Sequence, residues 1–176
     1  ESMALESALI LDRSLFGGFI FEDDASAANA WAMIFMGLLR DSFGLVPGFA
    51  ISKPDVSSGA STLSTIPAYV CQGDEGAVLG KKSDRDAGRE EQQKRLDAAL
   101  IEGCRFIVMD NLHSVESDYY NTLLTQLWQT IRLLGHSKQK YCKNNRLLIF
   151  NGKHLSFTDD TARRMVVISL LKNAHL

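Results

Sequence analysis

The chain has 176 residues, 45% of them hydrophobic and 23% charged, which is the length and composition of one globular domain with a real core. A net charge of -2 excludes a global basic field, so any nucleic-acid contact must come from a local patch. Three scattered cysteines, Cys71, Cys104 and Cys142, argue against a disulfide framework or zinc site and for a reducing, cytoplasmic setting, and the apolar runs are too short to cross a membrane.

The N-terminus has no signal-peptide layout, and Glu1-Ser2-Met3 reads as a cloning scar before a start methionine or as the edge of an excised domain. Asp23 to Leu39 predicts a helix capped by Asp24 or Ser26, with Ala27, Trp31, Ile34, Leu38 and Leu39 on its apolar stripe. Gly44 to Gly48 is a turn into a short strand ending at Ile51. A Ser/Gly-rich turn follows, then a helix from about Ala60 that Pro67 should stop or kink. Ala77 to Leu79 reads as a short strand, Lys81 to Arg89 as a polar loop, and Glu90 to Ile101 as an amphipathic helix closed by Gly103. Arg105 to Asp110 is a continuous apolar strand with an aspartate at its end. Tyr119 to Trp128 predicts a helix, Thr130 to Leu134 a strand, and His136 to Asn145 a basic turn. Arg146 to Phe150 and Met165 to Leu171 are two further buried strands. Strands alternating with helices predict an α/β fold with a mostly parallel sheet, and nothing marks a domain boundary within residues 1–176.

Three places can carry chemistry. Ile51 to Ser61, ISKPDVSSGAS, lies between a strand and a helix, where a phosphate-binding loop belongs. Gly59 and Ser61 match GxxxxGK[ST], but Pro54 stands at the first glycine and Ala60 at the lysine; a structural Ser/Gly turn fits equally. Asp110 follows FIVM, where an aspartate can hold Mg²⁺, and Asn111 follows where a glutamate would activate water; the alternative is a turn, DNLHS. Asn151 follows RLLIF, where a polar side chain can meet a γ-phosphate. Arg163 and Arg164 come shortly after, and a guanidinium fork suits phosphate; the alternative is a solvated charged loop. The four histidines, at 113, 136, 154 and 175, have no metal-ligand spacing.

The order strand–loop–helix, strand–Asp, strand–Asn, Arg-Arg and a last strand resembles the ATPase domain of AAA+ proteins. It is close to the superfamily 3-type helicases and primase-helicases of phages, plasmids and mobile elements. ISKPDVSSGAST is similar to that group's PxxGTGKT, and EEQQKRLDAALIEGCRFIVMDNL to its helix and Asp-Asn strand. RLLIFNGKHLSFTDDTARRMVVISL resembles its TGNN, DLARR and final strand, and coverage runs from about Phe19 to Leu171. The resemblance implies a three-layer, mostly parallel P-loop NTPase sheet flanked by helices; the helical lid usual in AAA+ proteins is not expected here, a departure read from the chain's end after its last strand. It implies ATP and Mg²⁺ as ligands and assembly as a homo-oligomer. Ser57, Ser58, Gly59, Ala60, Ser61 and Thr62 would form the phosphate loop, and Ser61 and Asp110 the Mg²⁺ side. Asn111 would stand at the catalytic position of the second acid, where it cannot act as a base, Asn151 would be the strand-end sensor, and Arg163 or Arg164 would be the arginine finger.

The departures are Ala60 for lysine, Ser57 for glycine, Lys153-His154 for an Asn pair, and Pro67 in the loop helix. They weaken nucleotide binding and hydrolysis, and Lys53 or Lys153 is a candidate substitute charge. Lys138, Lys140 and Lys143, around Tyr141, mark a basic hairpin suited to DNA phosphates and base stacking; a solvated hairpin tip is the alternative. The expected function is thus a replication-helicase ATPase domain with a degenerate loop. Its rival is a non-hydrolysing scaffold or DNA-binding module. A third option is an unrelated doubly wound domain with a strand-end site, which a structure lacking the Asp strand between the loop strand and the Asn strand would support.

Overall fold

The structure is a computed structural model that describes residues 2–54, 58–80, 86–132 and 138–172. Its elements in chain order begin with α1 (Ser2–Phe16), α2 (Asp24–Leu38), β1 (Gly48–Lys53), α3 (Ala60–Gln72) and β2 (Ala77–Gly80). Then come α4 (Asp86–Glu102), β3 (Phe106–Val115), α5 (Asp118–Thr125), β4 (Trp128–Arg132) and β5 (Gln139–Lys143). The last are β6 (Leu147–Phe157), α6 (Asp159–Ala162) and β7 (Met165–Ser169). Five strands pair in the order β2-β3-β6-β1-β7, and every pairing in that sheet is parallel.

The apolar runs FAIS, FIVM and LLIF form the central strands because a parallel sheet is covered on both faces. Alternation along each strand then splits the core in two. Phe49, Ile51, Val108 and Ile149 pack against Met33 and Ile34 of α2 and Ala60 and Leu63 of α3. Ala50, Met109 and Phe150 pack against Leu96 and Leu100 of α4, Leu123 of α5, and Ile131 and Cys142 of the β4–β5 hairpin. The result is the expected three-layer α/β architecture.

Several local expectations change. Asp23, not Asp24 or Ser26, caps α2: its carboxylate accepts the Ser26 N–H at 2.7 Å. Pro67 does not stop α3, which runs on to Gln72 and ends at Gly73 in the left-handed region. The proline is buried, so packing offsets its missing N–H. Helix α4 starts at Asp86, inside the expected loop, of which residues 81–85 lie outside the described residues. Trp128 opens β4 rather than closing α5, and Gln139–Lys143 is a strand rather than a turn. Neither Asp110 nor Asn151 ends its strand, since β3 continues to Val115 and β6 to Phe157. Helix α1 was not expected. Trp31 Nε1 donates to its Asp12 at 2.8 Å, and Phe16 packs edge-on against Trp31. Finally, the Asp strand β3 does not lie between the loop strand and the Asn strand; β6 lies between β1 and β3, the arrangement expected above of an unrelated doubly wound domain.

At the N-terminal end of the sheet, one buried cation ties the layers together. Arg40 is 1% exposed, and its guanidinium donates to four backbone carbonyls. These are Arg146 at 2.8 Å, Phe43 at 3.2 Å, Gly44 at 2.9 Å and Asn144 at 3.0 Å. Burial lowers its pKa, yet arginine stays charged in proteins. Replacing it by leucine, Arg40→Leu, leaves four carbonyls without their donor. Since an orphaned buried polar group costs about 1–3 kcal/mol, the unfolding free energy should fall by about 3 kcal/mol or more. Urea denaturation measures this, and a loss below about 1 kcal/mol would show that the carbonyls find other donors.

Candidate functional site

The site lies at the C-terminal ends of β1, β6 and β3. The chain leaves β1 into α3 on one face of the sheet. It leaves β6 into α6, which joins α5 on the other face through a Thr161–Asn121 side-chain bond of 2.8 Å. Neighbouring strands whose connections part to opposite faces leave a crevice at their carboxyl ends, the usual ligand position in open α/β sheets.

Three side chains from three segments meet there. Ser61 Oγ, in the first turn of α3, donates to Asp110 Oδ1 of β3 at 3.3 Å. Asn151 Nδ2 of β6 donates to the same Ser61 oxygen at 3.4 Å. Asn151 is fully buried and its Oδ1 has no partner. Ser58, 1% exposed beside the start of α3, also has a hydroxyl with no partner. Helices α2, α5 and α6 are capped by the side chains of Asp23, Ser117 and Thr158. Helix α3 has Gly59 at its N-cap, at φ 76°, and no side-chain cap. The first amides of a helix have no intrahelical acceptor, and the helix dipole adds positive character there. The end of α3 is therefore a set of donors beside two buried, unsatisfied polar atoms.

Backbone irregularity concentrates at the same level. One extra residue stands on β3 between the pairs Met109–Phe150 and Leu112–Gly152, and β6 gains residues before Ser114–Ser156. Asn111, at φ 60°, and His154, at φ 44°, are the positive-φ residues other than glycine among the described residues, and both sit in these bulges. Gly152 is required: a Cβ there would collide with the Leu112 carbonyl oxygen. The bulge keeps Asp110 on the α3 face and returns Leu112 to the opposite core. Asp110 Oδ1 also accepts the Asn111 N–H at 2.7 Å, which fixes the turn of the bulge.

No family model and no curated protein matches this chain.

Of the expected loop residues, Ser57 lies outside the described residues. Ser58, Gly59 and Ser61 line the crevice, whereas Thr62 is exposed one residue further along the helix. Ala60 is 2% exposed and packs into the α2–α3 core, so position 60 has no open space for a longer side chain. Asn111 is exposed in a left-handed backbone that asparagine tolerates better than glutamate. Asn111, at the position of the second acid, thus serves the bulge's backbone. The two arginines lie elsewhere. Arg164 precedes β7, its carbonyl accepts the Gly48 N–H at 3.0 Å, and its guanidinium pairs with Asp160 at 2.6 Å. This is the opposite end of the sheet, roughly 13 Å along the strand direction from Asn151. Arg163 is exposed beside it. Neither reaches the crevice of its own chain.

The donor set fits Mg²⁺ with a polyphosphate. Magnesium favours hard oxygen ligands and is commonly held by one or two carboxylates, with phosphates and water completing its shell. Asp110 and Ser61 offer that minimum, and no cluster of three or more metal-ligating side chains exists among the described residues.

The hairpin carries a second surface. Trp128 and Tyr141 are exposed and stacked, with centroids 4.9 Å apart and planes 7° from parallel. Lys143 is cross-strand from Trp128, and Arg132 from Gln139. Lys138 is exposed at the start of β5. Lys140 differs: it pairs with inward-facing Ile131, and its Nζ donates to the Ile101 carbonyl at 3.0 Å near the end of α4. Sequence reasoning missed Trp128 by placing it at a helix end. The alternation of Trp128, Thr130 and Arg132 was the available signal.

The left-handed backbone at residue 111 makes a testable demand. Asn111→Gly should be neutral or slightly stabilising, whereas Asn111→Glu should cost about 1 kcal/mol, the strain of a side chain that tolerates this region poorly. Thermal and urea unfolding compare the two, and equal stabilities would remove the structural account of Asn111.

Proposed function

We propose that the chain is the AAA+-like ATPase core of a DNA replication helicase or primase-helicase from a mobile element, with a diverged phosphate loop. The observation that carries this is the meeting of Ser61, Asp110 and Asn151 at the N-terminus of α3. A phosphate-loop ATPase needs a hydroxyl and a carboxylate on the metal, and a polar side chain near the terminal phosphate. Here they arrive from three neighbouring strands of the sheet, or the helix that follows one, and in the chain they come in the order loop, Asp, Asn that the resemblance implies.

When bound, Mg²⁺ would neutralise phosphate charge, with Asp110 and Ser61 as its protein ligands. Asn151 orients the Ser61 hydroxyl, and the uncapped α3 amides take phosphate oxygens. Arg163 and Arg164 act on a neighbouring copy in this scheme, because they lie at the far end of their own sheet. The exposed Trp128–Tyr141 stack with Lys143, Arg132 and Lys138 suits single-stranded DNA, through base stacking and phosphate contact.

A second reading has its own observation. Ala60 is sealed into the core and Asn111 serves the bulge, so neither the loop lysine nor a water-activating acid has a place. The same crevice would then bind without turnover, in a scaffold that handles DNA.

Calorimetric titration with ATP–Mg²⁺ separates the outcomes. The proposal expects binding in the micromolar to millimolar range that falls at least about tenfold in Asp110→Ala, a change of about 1.4 kcal/mol. No binding at millimolar ATP–Mg²⁺ ends the ATPase proposal. Binding without any phosphate release favours the scaffold. For the hairpin, Trp128→Ala and Tyr141→Ala should each weaken single-stranded DNA binding by about 1–3 kcal/mol, the value of one stacked base. Fluorescence anisotropy measures this, and unchanged affinity in both variants removes the hairpin from the DNA site.

A further inference from the structure

Position 60 has no lysine, yet two lysines stand over the same crevice. Lys53 and Lys153 are register partners at the carboxyl ends of the adjacent parallel strands β1 and β6. Each lies two residues beyond a residue of known direction. Ile51 packs on the α3 face, and Asn151 bonds to Ser61 of α3. Side chains two apart on a strand share a face, so both lysines project on the α3 side. They stand about 6.6 Å further along the strands than Asn151.

We propose that Lys53 and Lys153 together supply the charge that position 60 does not, clamping a polyphosphate group over the N-terminus of α3. This rests on the nucleotide reading above and adds to it the residues that hold the phosphates.

Like charges side by side on neighbouring strands repel, and an anion between them turns the repulsion into attraction. The uncapped start of α3 faces the same space, beside the buried and unpartnered Ser58 hydroxyl, which can donate to a phosphate oxygen. Lys53 is half-buried and Lys153 exposed, so the first is the better-fixed half of the clamp. Lys153 already has a partner in the chain, and ligand binding exchanges one contact for another. Ammonium groups bind phosphate as point charges, without the two-point geometry a guanidinium imposes. A pair on separate strands can therefore do the work of one lysine in a loop.

The test titrates the chain with ATP–Mg²⁺ and, separately, with inorganic tripolyphosphate. It compares the unmodified protein with Lys53→Gln, Lys153→Gln, the double variant, and Lys94→Gln as an exposed control on α4. The proposal expects the double variant to lose at least about tenfold in affinity for both probes. Each single variant falls between, Lys94→Gln is unchanged, and the salt dependence of tripolyphosphate binding flattens. If the unmodified chain binds and the double variant binds equally well, the clamp is overturned and the nucleotide reading survives. A loss confined to ATP also overturns it, since the lysines would then act on the nucleoside. If the unmodified chain binds neither probe at millimolar concentration, both readings fall. Far-UV circular dichroism checks the fold. Should the double variant unfold, the charge-retaining pair Lys53→Arg and Lys153→Arg decides: affinity within about threefold supports the clamp, and a tenfold loss overturns it.

Discussion

The crevice depends on a break in register between β3 and β6. Two parallel strands in perfect step would carry their alternation straight through, and residue 112 would follow Asp110 onto the α3 face. The extra residue at Asn111 lets Asp110 face α3 while Leu112 rejoins the core beneath α4 and α5. That requires the Leu112 carbonyl to come close to β6, which only the bare backbone of Gly152 allows. The left-handed residues Asn111 and His154 absorb the remaining geometry. Such strain persists only where the surrounding structure over-determines it. Here the surroundings are two central strands whose leading residues, Phe106–Met109 and Leu147–Gly152, are buried.

The two ends of the sheet differ in backbone geometry. At the N-terminal end Arg40 gathers four carbonyls, and Gly48 is so closely packed that a Cβ would meet Met165 Sδ at 2.8 Å and the Phe150 ring at 3.2 Å. This end is dense, although Asn144 Oδ1 and the Nε atoms of Arg105 and Arg146 are buried there without partners. At the C-terminal end the helix start is uncapped, two buried polar atoms lack partners, and two residues are left-handed. Unsatisfied groups cost free energy at both ends, and what sets the C-terminal end apart is the uncapped helix start and the left-handed backbone beside them.

The sheet was legible in the sequence because its strands are unbroken apolar runs that a two-faced burial demands. Asp110 and Asn151 were legible for a related reason: each is the first polar residue after such a run. What could not be read was that both strands continue. A bulge leaves no composition signature, and Asn111 and Gly152 look like turn residues. Pro67 misled because a proline's missing N–H is visible in sequence and the burial that offsets it is not. The same holds for Lys140, counted with its neighbours as a DNA contact although strand alternation sends it towards α4. The reach of Lys53 and Lys153 needed the β1–β6 register, which links positions one hundred residues apart.

The hydrogen-bond chain through Ser61 also has a polarity. A carboxylate only accepts, so the single hydroxyl proton of Ser61 goes to Asp110. The serine oxygen then accepts from Asn151, which fixes the amide with its nitrogen towards Ser61 and its carbonyl oxygen facing away. That oxygen is fully buried and can only accept, so a bare phosphate oxygen cannot satisfy it. A water molecule in the shell of a hydrated cation can.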